Sequence, residues 1–280
     1  MSRPAPGFKP CLVASVHDHE QARRFNPCIV VPVYDHAQAL AAVVEGLLRH
    51  GVPIILVDDG SAAPCAALLE RLAQDAPGRI TLLRHAANEG KGAAVLSGLR
   101  EAQAQGRSHV LQIDADGQHD CADVARFLAL AQARPEAVIA GCPIYDASVP
   151  KARLYGRYAT HIWVWINTLS LCIRDSMCGF RVYPVAPVMA LAARTAIGRR
   201  MNFDTDILVR LYWDGLDVVN LPTRVAYPFD GVSHFRLWRD NVLITCMHAV
   251  LFFGMLRRAP QLLARTWRAR SWGTRTWRAP

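Results

Sequence analysis

Two carboxylates one residue apart, Asp114 and Asp116, lie in the tract Ile113-Asp-Ala-Asp-Gly-Gln-His119, directly after the apolar run His109–Ile113. A hard divalent cation prefers oxygen ligands, and magnesium commonly takes only one or two protein carboxylates beside the phosphates of its substrate. The pair therefore suits a metal-bound phosphate compound. An Asp-x-Asp alone also occurs as an ordinary acidic loop, so its surroundings decide between the two readings.

The elements that must position the pair are legible as a pattern. Apolar, β-branched runs recur at Cys28–Val33, Pro53–Val57, Ile80–Leu83, His109–Ile113 and Ala137–Ala140. Segments of helical period separate them: one face carries Leu40, Val43, Val44, Leu47 and Leu48, another Cys65, Leu68, Leu69 and Leu72, another Val124, Phe127, Leu128 and Ala131. Such alternation predicts βαβ units and a mainly parallel sheet with right-handed crossovers. Ligands of such sheets bind beyond the carboxyl ends of the strands. The polar turns Pro32-Val-Tyr-Asp35, Asp58-Asp-Gly-Ser61, Asn88-Glu-Gly-Lys-Gly92 and Asp114-Ala-Asp-Gly-Gln118 all fall at those ends. Past Gly141 come a basic and then aromatic stretch (Lys151, Arg153, Arg157, Trp163, Trp165), a helix-like stretch from Phe203 to Trp213 and a strand-like Asp217–Leu221. With no Gly/Ser linker, these read as the second half of the same domain.

Composition narrows the classes. An apolar share of 52 % of 280 residues is ample for a buried core. Seven of the nine net positive charges come from Arg in residues 257–280, which hold no Asp or Glu, so the body is nearly neutral. That argues against a nucleic-acid-binding surface and for a basic tail. The eight Cys form no Cys-x-x-Cys pair; Cys28, Cys142 and Cys246 lie in apolar stretches, as small core residues of a reduced cytosolic protein would. His17 and His19 read as solvated, and the first 26 residues lack the apolar segment of a signal peptide. The longest uncharged run, Val242–Leu256, is shorter than the ~20 residues of a spanning helix.

In this order, Val31-Pro-Val-Tyr34, Leu56-Val-Asp-Asp-Gly-Ser61, Asn88-Glu-Gly-Lys-Gly92, Asp114-Ala-Asp-Gly-Gln118, Cys178-Gly-Phe-Arg181 and Phe203-Asp-Thr-Asp206 resemble the family-2 inverting glycosyltransferases of the GT-A fold. The likeness is greatest to the branch containing dolichol- and polyprenyl-phosphate sugar synthases, and it covers roughly residues 27–235. It implies an α/β fold, a mainly parallel Rossmann-like sheet flanked by helices, and transfer of a sugar from a GDP- or UDP-linked donor with inversion. It implies that Pro32, Val33 and Tyr34 pack beside the base and that Asp58 accepts from a base nitrogen; Asp35 is a nucleotide-binding candidate or a helix cap, and Lys91, between two glycines, could approach the nucleotide or be a solvated loop residue. Asp114 and Asp116 would hold the ribose and a magnesium or manganese ion on the diphosphate, with Gln118 nearby; Asp116 is the first choice for a direct ligand.

The acceptor side stays open. Arg181 is a candidate phosphate contact or a surface Arg paired with Asp175. Asp204 and Asp206 are either a general base or caps of a following helix. Arg153, Arg157, His234 and Arg236 could orient an acceptor phosphate, which would need no base. Three departures stand out. Asp35-His36 replaces the usual Asn-acid pair, Gly141-Cys-Pro-Ile-Tyr145 lacks an expected Arg, and no Gln-x-x-Arg-Trp signature of processive synthases is present. The division expected is a polar extension (1–26), a transferase domain (27–235), an apolar helix that is either core or membrane-interfacial (236–256) and a disordered Arg/Trp-rich tail (257–280). Arg with Trp267, Trp272 and Trp277 suits an anionic membrane surface, giving a peripheral protein on the cytoplasmic face with a lipid-linked acceptor. A nucleotidyltransferase and a non-catalytic nucleotide-sugar-binding protein are the competing readings.

Overall fold

The structure is a computed structural model and describes residues 25–144, 151–225 and 237–271, except for the side chains of 151–155, 237 and 268–271. Seven strands form one sheet: β1 (Pro27–Val33), β2 (Ile54–Asp58), β3 (Ile80–Arg84), β4 (His109–Gln112), β5 (Val138–Ile144), β6 (Arg181–Pro184) and β7 (Val218–Arg224). Their order is β3-β2-β1-β4-β6-β5-β7, and every pairing is parallel except the two made by β6. The helices are α1 (Ala37–Leu48), α2 (Ala63–Asp75), α3 (Lys91–Ala104), α4 (Val124–Ala133), α5 (Lys151–Thr168), α6 (Val185–Arg194), α7 (Phe203–Trp213) and α8 (Leu237–Ser271).

Strand alternation divides the core. Cys28, Val30, Ile55, Val57 and Val110 face α3, α6, α7 and α8, whereas Ile29, Val31, Val33, Ile54, Leu56 and Leu111 face α1, α2 and α4. The central strands read as unbroken apolar runs because both faces are covered. Each expected strand and helix is found. The strand that pattern reading missed is β6. Only four residues long and carrying a buried arginine and a proline, it has no alternation to detect. It inserts antiparallel beside β4, pairing Arg181 with Gln112.

Helix α8 corrects two expectations. The chain does not lose its order at Leu256: one helix runs from Leu237 through Pro260 to Ser271. The basic residues beyond Leu256 are part of what docks it. Arg265 donates to the carbonyls of Tyr212 and Leu216 (2.8 Å to the latter), and its guanidinium lies 4.1 Å from the Tyr212 ring centre. Arg258 covers Trp213 at 4.8 Å, Thr266 donates to Leu169 O, and Leu262 is buried. The apolar stretch is also longer than the uncharged run suggests. Trp238–Trp267 is long and apolar enough to cross a membrane, and its most apolar 18-residue stretch, of mean hydropathy 1.5, is only 22 % buried. Cys246, expected in the core, is exposed on this helix.

The inner face of α8 carries Met247, His248, Leu251 and Met255 against α5 and α7. His248 Nδ1 lies 3.3 Å from Asn167 Nδ2, and its ring stacks on Trp163. Burial pushes this imidazole down to about 4. Its folded pKa is therefore below the unfolded value near 6.5, so the unfolded chain takes up the proton first and stability declines as pH falls from about 6.5 toward 4. Urea unfolding of His248→Gln should lose part of this acid sensitivity; an unchanged pH slope would refute the assignment.

Candidate functional site

The carboxyl ends of β1, β2 and β4 share one edge, and a polar constellation is built there. Lys91, the first residue of α3, reaches across the edge. Its Nζ is 2.8 Å from both carboxylate oxygens of Asp114 and 2.9 Å from Asp204 Oδ2. Asp204 Oδ1 accepts from Gln112 Nε2 at 3.0 Å. Burial alone pushes the Asp114 carboxyl up, but Lys91 outweighs it and holds Asp114 below the usual carboxylate range. Lys91, in turn, is held above the ordinary lysine value by Asp114 and Asp204 against its burial. Lys91 is thus not a solvated loop residue.

Asp116 lies just outside this ion pair. Its Oδ1 accepts from Gln118 N at 3.0 Å, in a turn where Gly117 takes φ 72°. Burial and the neighbouring charge of Asp114 push its carboxyl up. Two carboxylates thus share one ammonium with a third beside them, a surplus of negative charge that suits a cation. Asp114 Oδ1, although beside Lys91, makes no hydrogen bond, and neither does buried His119 Nδ1. Among the described residues no group of three or more His, Cys, Asp or Glu could hold a metal alone. A cation would have to complete its shell from a ligand, as magnesium does on nucleotide phosphates. His119 has no assigned role in the sequence reading; its place directly after the acidic tract was the available signal.

The loops are tied down by carboxylates whose role the sequence did not disclose. Asp59 accepts from Glu89 N (2.9 Å), Gly90 N (2.8 Å) and His85 Nδ1 (2.8 Å), and so fixes the turn that launches Lys91. Gly90 adopts φ 109°, with Arg199 O and Arg200 Cγ 2.5 Å from where a Cβ would stand, so only glycine fits. Asp175 accepts both Arg157 Nε (2.6 Å) and Nη2 (2.7 Å), together with the backbone N–H groups of Met177 and Cys178. That knot sets Gly179 against the ion pair. A Cβ on Gly179 would lie 2.4 Å from Asp114 Oδ2 and 2.6 Å from Lys91 Nζ. Gly179→Ala should therefore split the pair and lower turnover by about a hundredfold, the scale of a small misplacement at a site. An activity assay beside a melting curve checks this; wild-type turnover would contradict it.

Several sequence expectations are corrected. Arg181 is fully buried and does not pair with Asp175; it donates to Asp204 O and to Tyr183 Oη, so it braces Asp204 from below. Asp206 is spent on Gly198 N (2.9 Å) and Arg210 Nε (2.6 Å), which leaves Asp204 as the carboxylate at the edge. Neither caps α7, which begins after Asn202. Arg157 is committed to Asp175. Val33 is a core residue and Pro32 is buried in β1, so of that turn only Tyr34 and Asp35 lie at the strand end. Asp35, at φ 53°, accepts from Ala62 N (2.8 Å), tying two loops together rather than capping α1. Asp58 is covered and accepts from Ser61 N (2.8 Å) and Arg84 Nε (2.9 Å). His234, Arg236 and the Arg153 side chain lie outside the described residues.

Residues 28–195 match the family model described as glycosyl transferase family 2. The chain belongs to that family. As a family-2 glycosyltransferase it has informative relatives. It is 27 % identical over 207 residues to the polyprenol monophosphomannose synthase of Mycolicibacterium smegmatis, covering 68 % of this chain and 74 % of that one. It is 28 % identical over 174 residues to the dolichyl-phosphate beta-glucosyltransferase of Dictyostelium discoideum, covering 58 % of this chain and 51 % of that one. In fold, this glycosyltransferase is similar to the glucosyl-3-phosphoglycerate synthase of Mycobacterium tuberculosis solved with manganese, uridine diphosphate and phosphoglyceric acid. The TM-score is 0.61 at 12 % identity, with 90 % and 84 % of the two chains covered. Family membership removes the nucleotidyltransferase and non-catalytic readings.

Proposed function

We propose that this glycosyltransferase moves a hexosyl group, with inversion, from a UDP- or GDP-linked donor to a prenyl-phosphate type acceptor at a membrane surface, with a divalent cation at Asp116 and Asp114. The observation that carries the reading is the Lys91–Asp114–Asp204 constellation at the strand edge, with Asp116 left over beside it. The relatives are named as a polyprenol monophosphomannose synthase and a dolichyl-phosphate beta-glucosyltransferase, which favours a phosphate acceptor. Such an acceptor is already an anion, so no side chain need remove a proton from it.

Each group then has a task. The base would lodge by Tyr34 in the open cleft of about 420 Å³ lined by Gly60, Ser61, Arg84 and His85, with Asp58 shaping its wall. Asp116, whose carboxylate is not spent on Lys91, would hold the cation with Asp114. When bound, magnesium or manganese would neutralise charge that builds on the departing diphosphate. Lys91 keeps Asp114 ionised and holds Asp114 and Asp204 in register. Arg181 and Gln112 fix Asp204 from beneath.

A place at the membrane surface is supported by α8. Its outer face presents Trp238, Val242, Val250, Phe253, Leu256, Leu263 and Trp267, all exposed. Its inner face is docked on the domain from Met247 to Thr266. A helix held along its length in this way cannot cross a bilayer without dragging α7 into it; lying in the interface satisfies both faces. The test is transfer of labelled sugar from UDP-glucose or GDP-mannose into an organic-extractable product, with a prenyl phosphate and manganese. Transfer that EDTA abolishes and either metal restores is expected. Label that passes only to water or to a soluble sugar would overturn the acceptor.

A further inference from the structure

A second cleft, of about 670 Å³, opens on the opposite flank of the Lys91 loop and is lined by Asn88, Glu89, Arg199, Arg200, Asn202 and Leu243. The arginines come from the turn before α7, the asparagine and glutamate from the loop that launches Lys91, and the leucine from α8. No role in the reaction has been given to Arg199 or Arg200. Both are chemically available. Arg200 makes only long hydrogen bonds to Asn88, 3.2 Å to Oδ1 and 3.4 Å to the carbonyl, leaving N–H groups of its five-donor fork to spare. Arg199 pairs with Glu89, but the side chains are 63 % and 45 % exposed, and such a pair is weak and easily exchanged. The two arginines outnumber the one carboxylate, so the cleft has a net positive charge.

Of the other acceptor candidates whose side chains are described, Arg157 is locked to Asp175 and Arg181 is covered. The apolar side of the cleft also continues. At helical spacing from Leu243, Cys246 and Val250 follow on the same edge of α8, with Phe253 beyond, and these three are exposed. A cationic pocket thus opens onto an apolar track. That complements a molecule with an anionic head and a hydrocarbon chain.

We infer that the cleft between the Asn88–Glu89 turn and α8 binds the acceptor, with Arg199 and Arg200 holding the phosphate of a prenyl phosphate and Leu243 starting the track for its chain. The inference rests on the phosphate-acceptor reading above and adds the place where that acceptor sits. It also couples the two substrates. Arg199 O accepts from Ala93 N at 2.9 Å, and Arg200 abuts Gly90, so the arginines that would grip the phosphate are built into the footing of Lys91.

Calorimetric titration of the full chain with farnesyl phosphate, farnesol and inorganic phosphate tests this, with UDP and GDP plus manganese as the control for an intact donor site. Wild type should bind farnesyl phosphate at least tenfold more tightly than either farnesol or phosphate. Arg199→Gln/Arg200→Gln should weaken farnesyl phosphate about tenfold to a hundredfold, the worth of lost charge-assisted contacts, and keep its nucleotide affinity. If the double variant loses nucleotide binding too, Leu243→Ser decides: it should weaken farnesyl phosphate and leave inorganic phosphate alone. A double variant with normal nucleotide and normal farnesyl phosphate binding would overturn the cleft while leaving the acceptor class standing. A wild type that binds nucleotide but no farnesyl phosphate would overturn the acceptor class and the cleft together. Inorganic phosphate binding as tightly as farnesyl phosphate would make the cleft a simple anion site and overturn the lipid assignment.

Discussion

Lys91→Met should lower stability by about 3–5 kcal/mol and abolish measurable transfer, because it strands two largely covered carboxylates. Lys91 touches both Asp114 and Asp204, whose side chains are 23 % and 7 % exposed, and neither has another cation within ion-pairing distance among the described residues. The wild-type pair and the variant should also respond to pH with opposite signs. In the wild type Asp114 titrates below its unfolded value, so its contribution is complete above about pH 4 and is lost as pH falls through the folded pKa. Without Lys91, burial pushes the Asp114 carboxyl above its unfolded value. Acidification then relieves the strain, and the deficit should shrink below neutral pH. Adding Asp204→Asn to Lys91→Met should recover part of the stability but none of the activity. Urea unfolding at several pH values measures all of this; a Lys91→Met protein as stable as wild type at pH 7 would show that the ion pair is incidental.

The second large effect concerns α8. Trp238→Glu with Phe253→Glu should reduce partition onto anionic vesicles by on the order of a thousandfold, since each replaces roughly 2–3 kcal/mol of apolar transfer with a charge. Both side chains are mostly exposed, at 87 % and 63 %, so folding should change by less than about 1 kcal/mol. Vesicle sedimentation at fixed ionic strength, beside a melting curve, separates the two effects. Undiminished partition would remove the helix from the membrane account. Truncation after Leu256 is a poorer test, because Leu262, Arg265 and Thr266 help dock the helix and their loss would disturb the fold as well as the surface.

The parts of this fold written in hydrophobic period were legible in the chain. Strands β1 to β5, the helices between them and the convergence of polar turns on one edge followed from local pattern alone. Strand β6 was not legible, because nothing local marks an arginine buried in a four-residue antiparallel strand whose Nη1 donates to a carbonyl of a helix 23 positions away. The site divided along the same line. Asp114, Asp116 and Lys91 announced themselves by spacing and by their neighbours. The separate fates of Asp204 and Asp206 did not: two residues apart on α7, one meets Lys91 and Gln112 while the other meets Arg210, and only the packing of α7 decides which faces the edge. Asp59 and Asp175 were hidden for a similar reason. Asp59 meets the backbone N–H groups of Glu89 and Gly90, and Asp175 meets the Arg157 side chain, contacts made by tertiary folding that a sequence does not mark. The reach of α8 past Leu256 was obscured by arginines that read as a tail and that partly serve as packing.

The central claim is that Asp116 holds a cation against a nucleotide-sugar diphosphate. It is tested most directly by melting curves of wild type and Asp116→Ala with UDP- and GDP-sugars, each with and without manganese or magnesium. At a hundredfold excess over Kd, a ligand confined to the native state adds about 2.7 kcal/mol, or about 5 °C for a protein of this size. The account predicts that shift for at least one nucleotide sugar in wild type, dependent on metal, and its loss in Asp116→Ala while the unliganded variant melts close to wild type. An Asp116→Ala protein that responds to nucleotide sugar and metal as wild type does would contradict it.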